Sequence, residues 1–167
     1  MSDKRIVLAT QSDLPAIVEI YNSTVASRQS TADLLPTTVE ARQSWFDAHS
    51  GQRPLYVLKD AEGEVLAWGS FSDYYPRHAY HISAEISIYV RSDTRGLGVG
   101  RQMVQYMVDK APELGIRNIL AVIFGHNYAS IRLFESFGFR EWGRLPAVCD
   151  LEDRLADVVI LGKAVKD

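Results

Sequence analysis

The chain is short of several things, and each shortage closes a class of function. One cysteine, Cys149, occurs in 167 residues, so no intrachain disulfide can form and a cysteine-rich zinc site is excluded. Basic charge is not in excess: 18 Lys and Arg stand against 21 Asp and Glu, for a formal net charge of -3. The basic footprint that nucleic acid calls for is therefore missing. No apolar run approaches the length that spans a bilayer, and the opening Met-Ser-Asp-Lys-Arg lacks the apolar core of a signal peptide. A soluble cytoplasmic protein without nucleic-acid or membrane partners is expected. His49, His78, His81 and His126 fall in no zinc-ligand spacing, so no metal is expected either.

What is present suits one domain over residues 1–167, with 47% hydrophobic residues to build a core. Arg5 to Ala9 reads as a strand. Leu14, Ile17, Val18 and Tyr21 recur at helical spacing behind the capping residues Thr10 to Ser12, with Pro15 in the first turn. After an irregular connection, Ser23 to Pro36, Thr37 and Glu40 have the spacing of a capping box for a helix carrying Trp45 and Phe46. Leu55 to Lys59 and Glu64 to Phe71 flank the hairpin signal Asp60-Ala-Glu-Gly63. A loop from Asp73 to His78 leads to His81 to Val90, where Ile82, Ala84, Ile86, Ile88 and Val90 alternate with His81, Ser83, Glu85, Ser87 and Tyr89. Met103, Val104, Met107 and Val108 mark a helix up to Pro112, Asn118 to Phe124 a strand, and Asn127 to Phe137 a helix stopped by Gly138. Strands at Phe139 to Arg144 and Val158 to Leu161 finish the chain. The order β-α-α-β-β-β-α-β-α-β-β predicts a mixed α/β domain whose sheet is partly antiparallel at its start.

The most informative stretch is Arg95-Gly-Leu-Gly-Val-Gly-Arg101, between a strand and a helix. Closely spaced glycines let backbone approach a ligand, and a helix start presents unpaired N–H groups with a partial positive charge. That combination favours phosphate, and Arg95 and Arg101 can add bidentate contacts. A P-loop needs Lys-Ser/Thr after its last glycine, where Arg101-Gln102 stands; the dinucleotide pattern needs a third glycine where Arg101 or Met103 stands. The pattern Arg-x-x-Gly-x-Gly, met by Arg95, Gly98 and Gly100, remains.

This pattern, after Glu85-Ile-Ser-Ile-Tyr-Val90 and followed by Asn127-Tyr-Ala-Ser-Ile-Arg-Leu-Phe-Glu-Ser-Phe-Gly-Phe139, resembles the acyl-CoA motif and asparagine helix of the GNAT N-acetyltransferase superfamily. Ile20-Tyr-Asn22, Arg77-His-Ala-Tyr80, Glu85 and Gly143-Arg-Leu145 resemble its phosphinothricin and methionine sulfoximine acetyltransferase branch, over almost the whole chain. The resemblance implies a mixed, mostly antiparallel central sheet flanked by about four helices, and a homodimer. It implies transfer of acetyl from acetyl-CoA to a small primary amine, the cosubstrate being held by Ile88, Tyr89, Val90, Arg95, Gly96, Leu97, Gly98, Val99, Gly100, Arg101, Asn127 and Ser130. Glu85 matches the family's general base and Val90 the strand whose amide meets the developing oxyanion. Taken on alternation alone, Glu85 simply sits on the polar strand face with Ser83 and Ser87, and Asn127 simply caps a helix.

Departures bear on the acceptor. Of the branch's two arginines before the catalytic strand only Arg77 survives; it can pair with an acceptor carboxylate, while Tyr74, Tyr75 and Tyr80 line an aromatic slot or pack their own loop down. Ile86 replaces a histidine of the branch, and Phe134 stands where many relatives carry a tyrosine or histidine that can protonate the leaving thiolate. Tyr128 would then substitute, or the thiolate would leave unprotonated. Cys149-Asp-Leu-Glu-Asp-Arg154 replaces a Lys/Gly/Trp-rich segment, which weakens the case for herbicide-type acceptors. Two rival functions share these features: a protein N-terminal or lysine acetyltransferase, and a non-catalytic acyl-CoA-binding sensor.

Overall fold

Alternating strands and amphipathic helices assemble as their patterns require. In the computed structural model, which describes residues 3–165, the strands are β1 (Arg5–Leu8), β2 (Leu55–Lys59), β3 (Val65–Asp73), β4 (Ser83–Val90), β5 (Asn118–Phe124), β6 (Arg140–Asp150) and β7 (Leu155–Ala164). They form one seven-stranded sheet in the order β1-β2-β3-β4-β5-β7-β6. Every neighbouring pair is antiparallel except β4 and β5, which run parallel. The helices are α1 (Leu14–Ser23), α2 (Val39–Asp47), α3 (Val99–Lys110) and α4 (Tyr128–Glu135). Met1, Ser2, Lys166 and Asp167, which belong to the expected 1–167 domain and to the leader-free start, lie outside the described residues.

Each sheet face has its own core. On one, Phe71, Ala84 and Ile86 from β3 and β4 pack with Met103, Val104 and Met107 of α3 and Phe134 of α4. On the other, Val57, Trp68 and Tyr89 pack with Ile17, Ile20 and Tyr21 of α1 and Trp45 and Phe46 of α2. The alternation read in β4 assigns its residues to these faces: Ala84 and Ile86 are buried under α3, while Glu85, Ser87 and Tyr89 face the α1 and α2 side.

Two expectations are corrected. The cap of α2 is Thr38, whose hydroxyl accepts from the Ala41 N–H at 3.1 Å, and not Thr37. Thr37 is tied instead to Asn22, whose amide donates to its carbonyl and accepts from its N–H, both at 2.9 Å. The last two strands are also longer than read: β6 continues from Arg144 to Asp150 and β7 starts at Leu155, around two register shifts in β6.

The start of α1 is fastened to β2 by charge. Asp13, 5% exposed, accepts from the Thr10 N–H at 2.8 Å and pairs with Lys59 Nζ at 2.9 Å. Burial alone would raise the Asp13 pKa, but the Thr10 amide and the Lys59 ammonium outweigh it and hold the carboxyl below its ordinary 3.8. A depressed carboxyl pKa gives stability that is present above the unfolded value and lost as pH falls through the folded one. Asp13→Ala should cost about 2 kcal/mol in urea denaturation at pH 7, and the gap between variant and parent should close as pH is lowered below 3.8.

Candidate active site

The site begins where β4 and β5 stop pairing. Their register holds for three positions, Ser83 with Asn118, Ala84 with Ile119 and Glu85 with Leu120. Beyond these no pairing joins them, and a cleft of about 550 Å³ opens between Ile86 to Val90 on one side and Ala121 to Phe124 on the other. The flanking antiparallel ladders fix which backbone groups face it. Arg91 N–H donates to Leu66 C=O at 2.9 Å, which turns the odd-numbered residues of β4 toward β3 and leaves the N–H and C=O of Ile88 and Val90 facing the cleft. In the same way Gly125 N–H donates to Asp157 C=O at 2.9 Å, so Val122 turns its backbone groups inward from β5.

The glycine loop closes one end. Gly96 and Gly98 have φ of +81° and +77°, the left-handed region where a side chain is strained. Gly98 is the N-cap of α3, and the first bond across the cap runs from Gln102 N–H to Gly98 C=O at 3.0 Å. The amides of Val99, Gly100 and Arg101 precede it and have no intrahelical acceptor, so the positive end of the helix points into the cleft. Gly100 is helical, and a Cβ there would meet only Val90 and Leu133 side chains, at 3.5 and 3.6 Å. The fold therefore accommodates a Cβ there in ordinary contact and does not need a glycine for its own packing.

Of the residues that sequence reasoning assigned to the cosubstrate, Ile88, Tyr89, Val90, Arg95, Gly96, Gly98, Val99, Gly100, Arg101, Asn127 and Ser130 line this cleft. Leu97 does not; it is 63% exposed at the loop tip. Arg101 also directs its guanidinium outward, donating to Ser136 Oγ at 3.0 Å and lying 5.0 Å from the centre of the Phe137 ring. Phe134 lines the cleft but is buried edge-to-face against Phe139, and Tyr128 is exposed on α4 and lines no part of it.

A wall that the sequence did not reveal comes from the connection between α1 and α2, through Thr24, Ser27, Gln29 and Ser30. Two residues from the far side of the cleft hold it. His126 Nε2 is 2.8 Å from the Arg28 carbonyl, and Asn127 Nδ2 donates to the Gln29 carbonyl at 3.0 Å. The Asn127 Oδ1 meanwhile accepts from Ser130 N–H at 3.3 Å and caps α4. Arg28, at φ +57°, donates to the carbonyls of Val25 and Leu34 and pairs with Glu152 at 3.2 Å. The only local signal was the run of small polar residues that reads as irregular chain.

Glu85 lies at the apex, in the last registered pair before the strands part, on the face opposite α3. Burial pushes its carboxyl above the ordinary 4.5. Burial also raises the Tyr89 phenol, two residues on. Tyr74, Tyr75, Arg77 and Tyr80 form a separate group at the N-terminal end of β4 and line no part of the cleft. Tyr80 packs 5.1 Å from Tyr75 and 6.3 Å from Tyr74, ring centre to ring centre, while Arg77 is exposed. The loop begins next to Glu85 all the same: Ser72 is its cross-strand partner, and Tyr74 N–H reaches the Ser83 carbonyl at 3.5 Å.

A mostly antiparallel sheet parted at its central parallel pair, with a glycine loop and helix start at the open end, defines the class: this is an acyltransferase. The chain belongs to the Acetyltransferase (GNAT) family, whose pattern residues 15–139 match. It is 49% identical over 156 residues to YwnH of Bacillus subtilis, provisionally named a phosphinothricin acetyltransferase, covering 93% of this chain and 96% of that one. It is 37% identical over 150 residues to the L-methionine sulfoximine/L-methionine sulfone acetyltransferase of Pseudomonas paraeruginosa, covering 89% and 87%. The crystal structure of a phosphinothricin acetyltransferase from Sinorhizobium meliloti in complex with acetyl-CoA superposes with a TM-score of 0.91 at 28% identity, covering 97% of this chain and 88% of that one.

Asn127 both caps α4 and anchors the facing connection, so Asn127→Ala should lose about 1 to 2 kcal/mol of stability. It should also speed amide exchange in the 27–30 stretch more than in α3. Equal protection of that stretch in variant and parent would show that the Asn127 strap does not hold it.

Proposed function

We propose that the protein transfers the acetyl group of acetyl-CoA to the primary amine of a small amino-acid-like acceptor, with Glu85 as general base. The observation that carries this reading is the parted β4/β5 pair, which puts unpaired backbone groups and a helix N-terminus along a single cleft, with the half-buried Glu85 in the last registered pair before the strands part. Bound acetyl-CoA supplies an activated acetyl group as its thioester. The residues present fit such a group: the amides of Gly96 and of Gly98 to Arg101, with Arg95, suit a pyrophosphate. The inward-facing edges of Ile88, Val90 and Val122 suit the amides of an extended arm, in the manner of strand addition. Asn127 retains one amide hydrogen beyond its bond to Gln29 and can donate it to the same arm.

Glu85 then acts on the acceptor. An alkylammonium is the wrong form for attack, and a carboxylate within reach, directly or through one water, removes its proton. Burial raises the Glu85 pKa and so brings its basicity nearer to that of the amine. The Val90 amide, facing the cleft, is the donor for the oxygen on which negative charge grows; such a donor is worth about 3 to 4 kcal/mol. The acceptor class follows the relatives, which are named for phosphinothricin and methionine sulfoximine, both amino-acid analogues. Arg77, exposed on the loop that starts beside Glu85, is the cation for an acceptor carboxylate.

Two measurements test the reading. Glu85→Gln should lower kcat at least about tenfold near neutral pH with little change in acetyl-CoA affinity. The acid limb of the parent's kcat/KM profile should lie above 4.5, as burial requires; unaltered turnover in the variant would remove Glu85 from the mechanism. Gly100→Ala should change stability by less than about 1 kcal/mol, since its Cβ meets nothing closer than 3.5 Å. Titration calorimetry should nonetheless show acetyl-CoA bound at least about tenfold more weakly, and an unchanged Kd would take the loop out of cosubstrate binding.

A further inference from the structure

At the β1 edge of the sheet a second cavity, of about 400 Å³, opens where β1 ends and β2 begins, and it shares no lining residue with the cleft. Its floor is apolar. Leu8 and Tyr56 pair across β1 and β2, and Tyr56 meets Tyr106 of α3 edge-to-face with ring centres 5.2 Å apart. Phe46 of α2 and His49 just beyond that helix form a further wall. Lys110 and Glu113 stand at the rim, paired at 3.3 Å with side chains 36% and 65% exposed. Two polar atoms of the lining are not used by the fold. Tyr56 is 5% exposed, yet its hydroxyl has no hydrogen-bond partner among the described residues. Trp68 Nε1 is the one unpartnered side-chain N or O among them that is wholly enclosed, so the Tyr56 hydroxyl keeps open surface, and for a side chain so buried that surface is the cavity. Burial, reinforced by the nearby Tyr106 and Glu113, pushes this phenol up to about 12, so it stays a neutral O–H donor. His49 directs Nδ1 at the carbonyls of Trp45 and Phe46, at 3.0 and 3.3 Å, and must carry its proton there. Burial lowers its pKa below 6.5, which leaves Nε2 as an acceptor without a partner among the described residues.

We infer that this cavity is a second binding site, separate from the cleft, for a zwitterionic α-amino acid with an aromatic or branched apolar side chain. The charges at the rim decide between ligand classes. A plain carboxylate would be drawn to Lys110 and repelled by Glu113, and a plain amine the reverse. A zwitterion satisfies both: its carboxylate accepts from Lys110 and from the Tyr56 hydroxyl, and its ammonium donates to Glu113, with His49 Nε2 as a second acceptor. The Lys110 to Glu113 pair is exposed and therefore weak, so admitting the ligand's charges between them costs little. The side chain lies on the rings of Phe46, Tyr56 and Tyr106 and covers Leu8, which is otherwise 61% exposed. The volume suits so small a molecule, ligand pockets beginning at about 300 Å³. None of these residues belongs to the cleft, so the site stands whether or not the acetyltransferase reading does.

The test is a chemical-shift titration of the isotope-labelled protein with L-phenylalanine, phenylpropanoate and phenethylamine, which share a ring and differ in charge. L-Phenylalanine should shift the amides of Gly51, Leu55 and Lys110 saturably, and each of the other two should bind there at least about tenfold more weakly, as loss of a charge-assisted hydrogen bond entails. Tyr56→Phe should raise the Kd read at these amides about fivefold, with its urea midpoint unchanged because the hydroxyl bonds nothing within the fold. Lys110→Met, at the surface, should raise it at least about tenfold without touching the core. An amino acid held only in the cleft would shift Val90, Gly98 and Gly100 instead and ignore both substitutions; shifts confined to those residues overturn the second site. Equal affinities for the three compounds also overturn it, by making the cavity a plain apolar pocket. So does the absence of any shift across residues 49–56 up to the solubility limit of L-phenylalanine.

Discussion

Everything functional in this molecule depends on two neighbouring strands ceasing to pair. Separated strands leave backbone donors and acceptors without partners, and a buried group in that state costs about 1 to 3 kcal/mol. The sheet tolerates this because each strand is fully secured on its other edge. β4 pairs with β3 over seven positions and β5 with β7 over seven more. The two halves are therefore rigid, and the gap between them is a fixed shape with its polar edges already aimed inward. Those edges are inexpensive while solvent reaches them, and become binding groups once an extended chain of amides displaces the water.

The same arrangement separates two kinds of chemistry. Residues of β4 alternate between a closed core under α3, where Ile86 is 3% exposed, and a half-open face where Glu85 stands. The residue after Glu85 belongs to the core and cannot act on an acceptor; the residue before it, Ala84, is likewise buried. A polar side chain at position 86 would have to satisfy its hydrogen bonds among Phe71, Met103 and Phe134. The isoleucine there thus follows from packing.

What was legible in the sequence is what short-range physics writes there. Alternation over ten residues gave β4 and the face of each side chain, and the glycines with Asn127 marked the loop and the helix that frame the cleft. The connection from Thr24 to Ser30 was not legible as a wall, because what holds it is carried by His126 and Asn127, 98 positions away in both bonds. No local pattern encodes such a partner. The extension of β6 was hidden for a different reason: Pro146, the shift between Leu145 and Cys149, and Ala147 at φ +48° break the alternation that would have shown it. Thr37 carried the capping-box spacing with Glu40, but Asn22, far back in α1, engages it and the cap falls to Thr38.

Net charge explains why the cleft is built from backbone. At a net charge of -3 the protein offers a polyanion no long-range attraction, so recognition falls to groups within a few ångströms. Lysine or arginine side chains would supply charge but lose rotamer freedom when immobilised, about 0.5 to 1.5 kcal/mol each. The amides from Gly96 to Arg101 are already fixed by the left-handed turns at Gly96 and Gly98 and by the helix they begin. They carry roughly half a positive charge at the helix end with nothing left to order. Arg101 illustrates the division of labour, since its guanidinium is spent on Ser136 and Phe137, on the flank of α4. Its side chain braces α3 against α4, so whatever Arg101 contributes to the proposed cosubstrate site is left to its backbone N–H at the helix start.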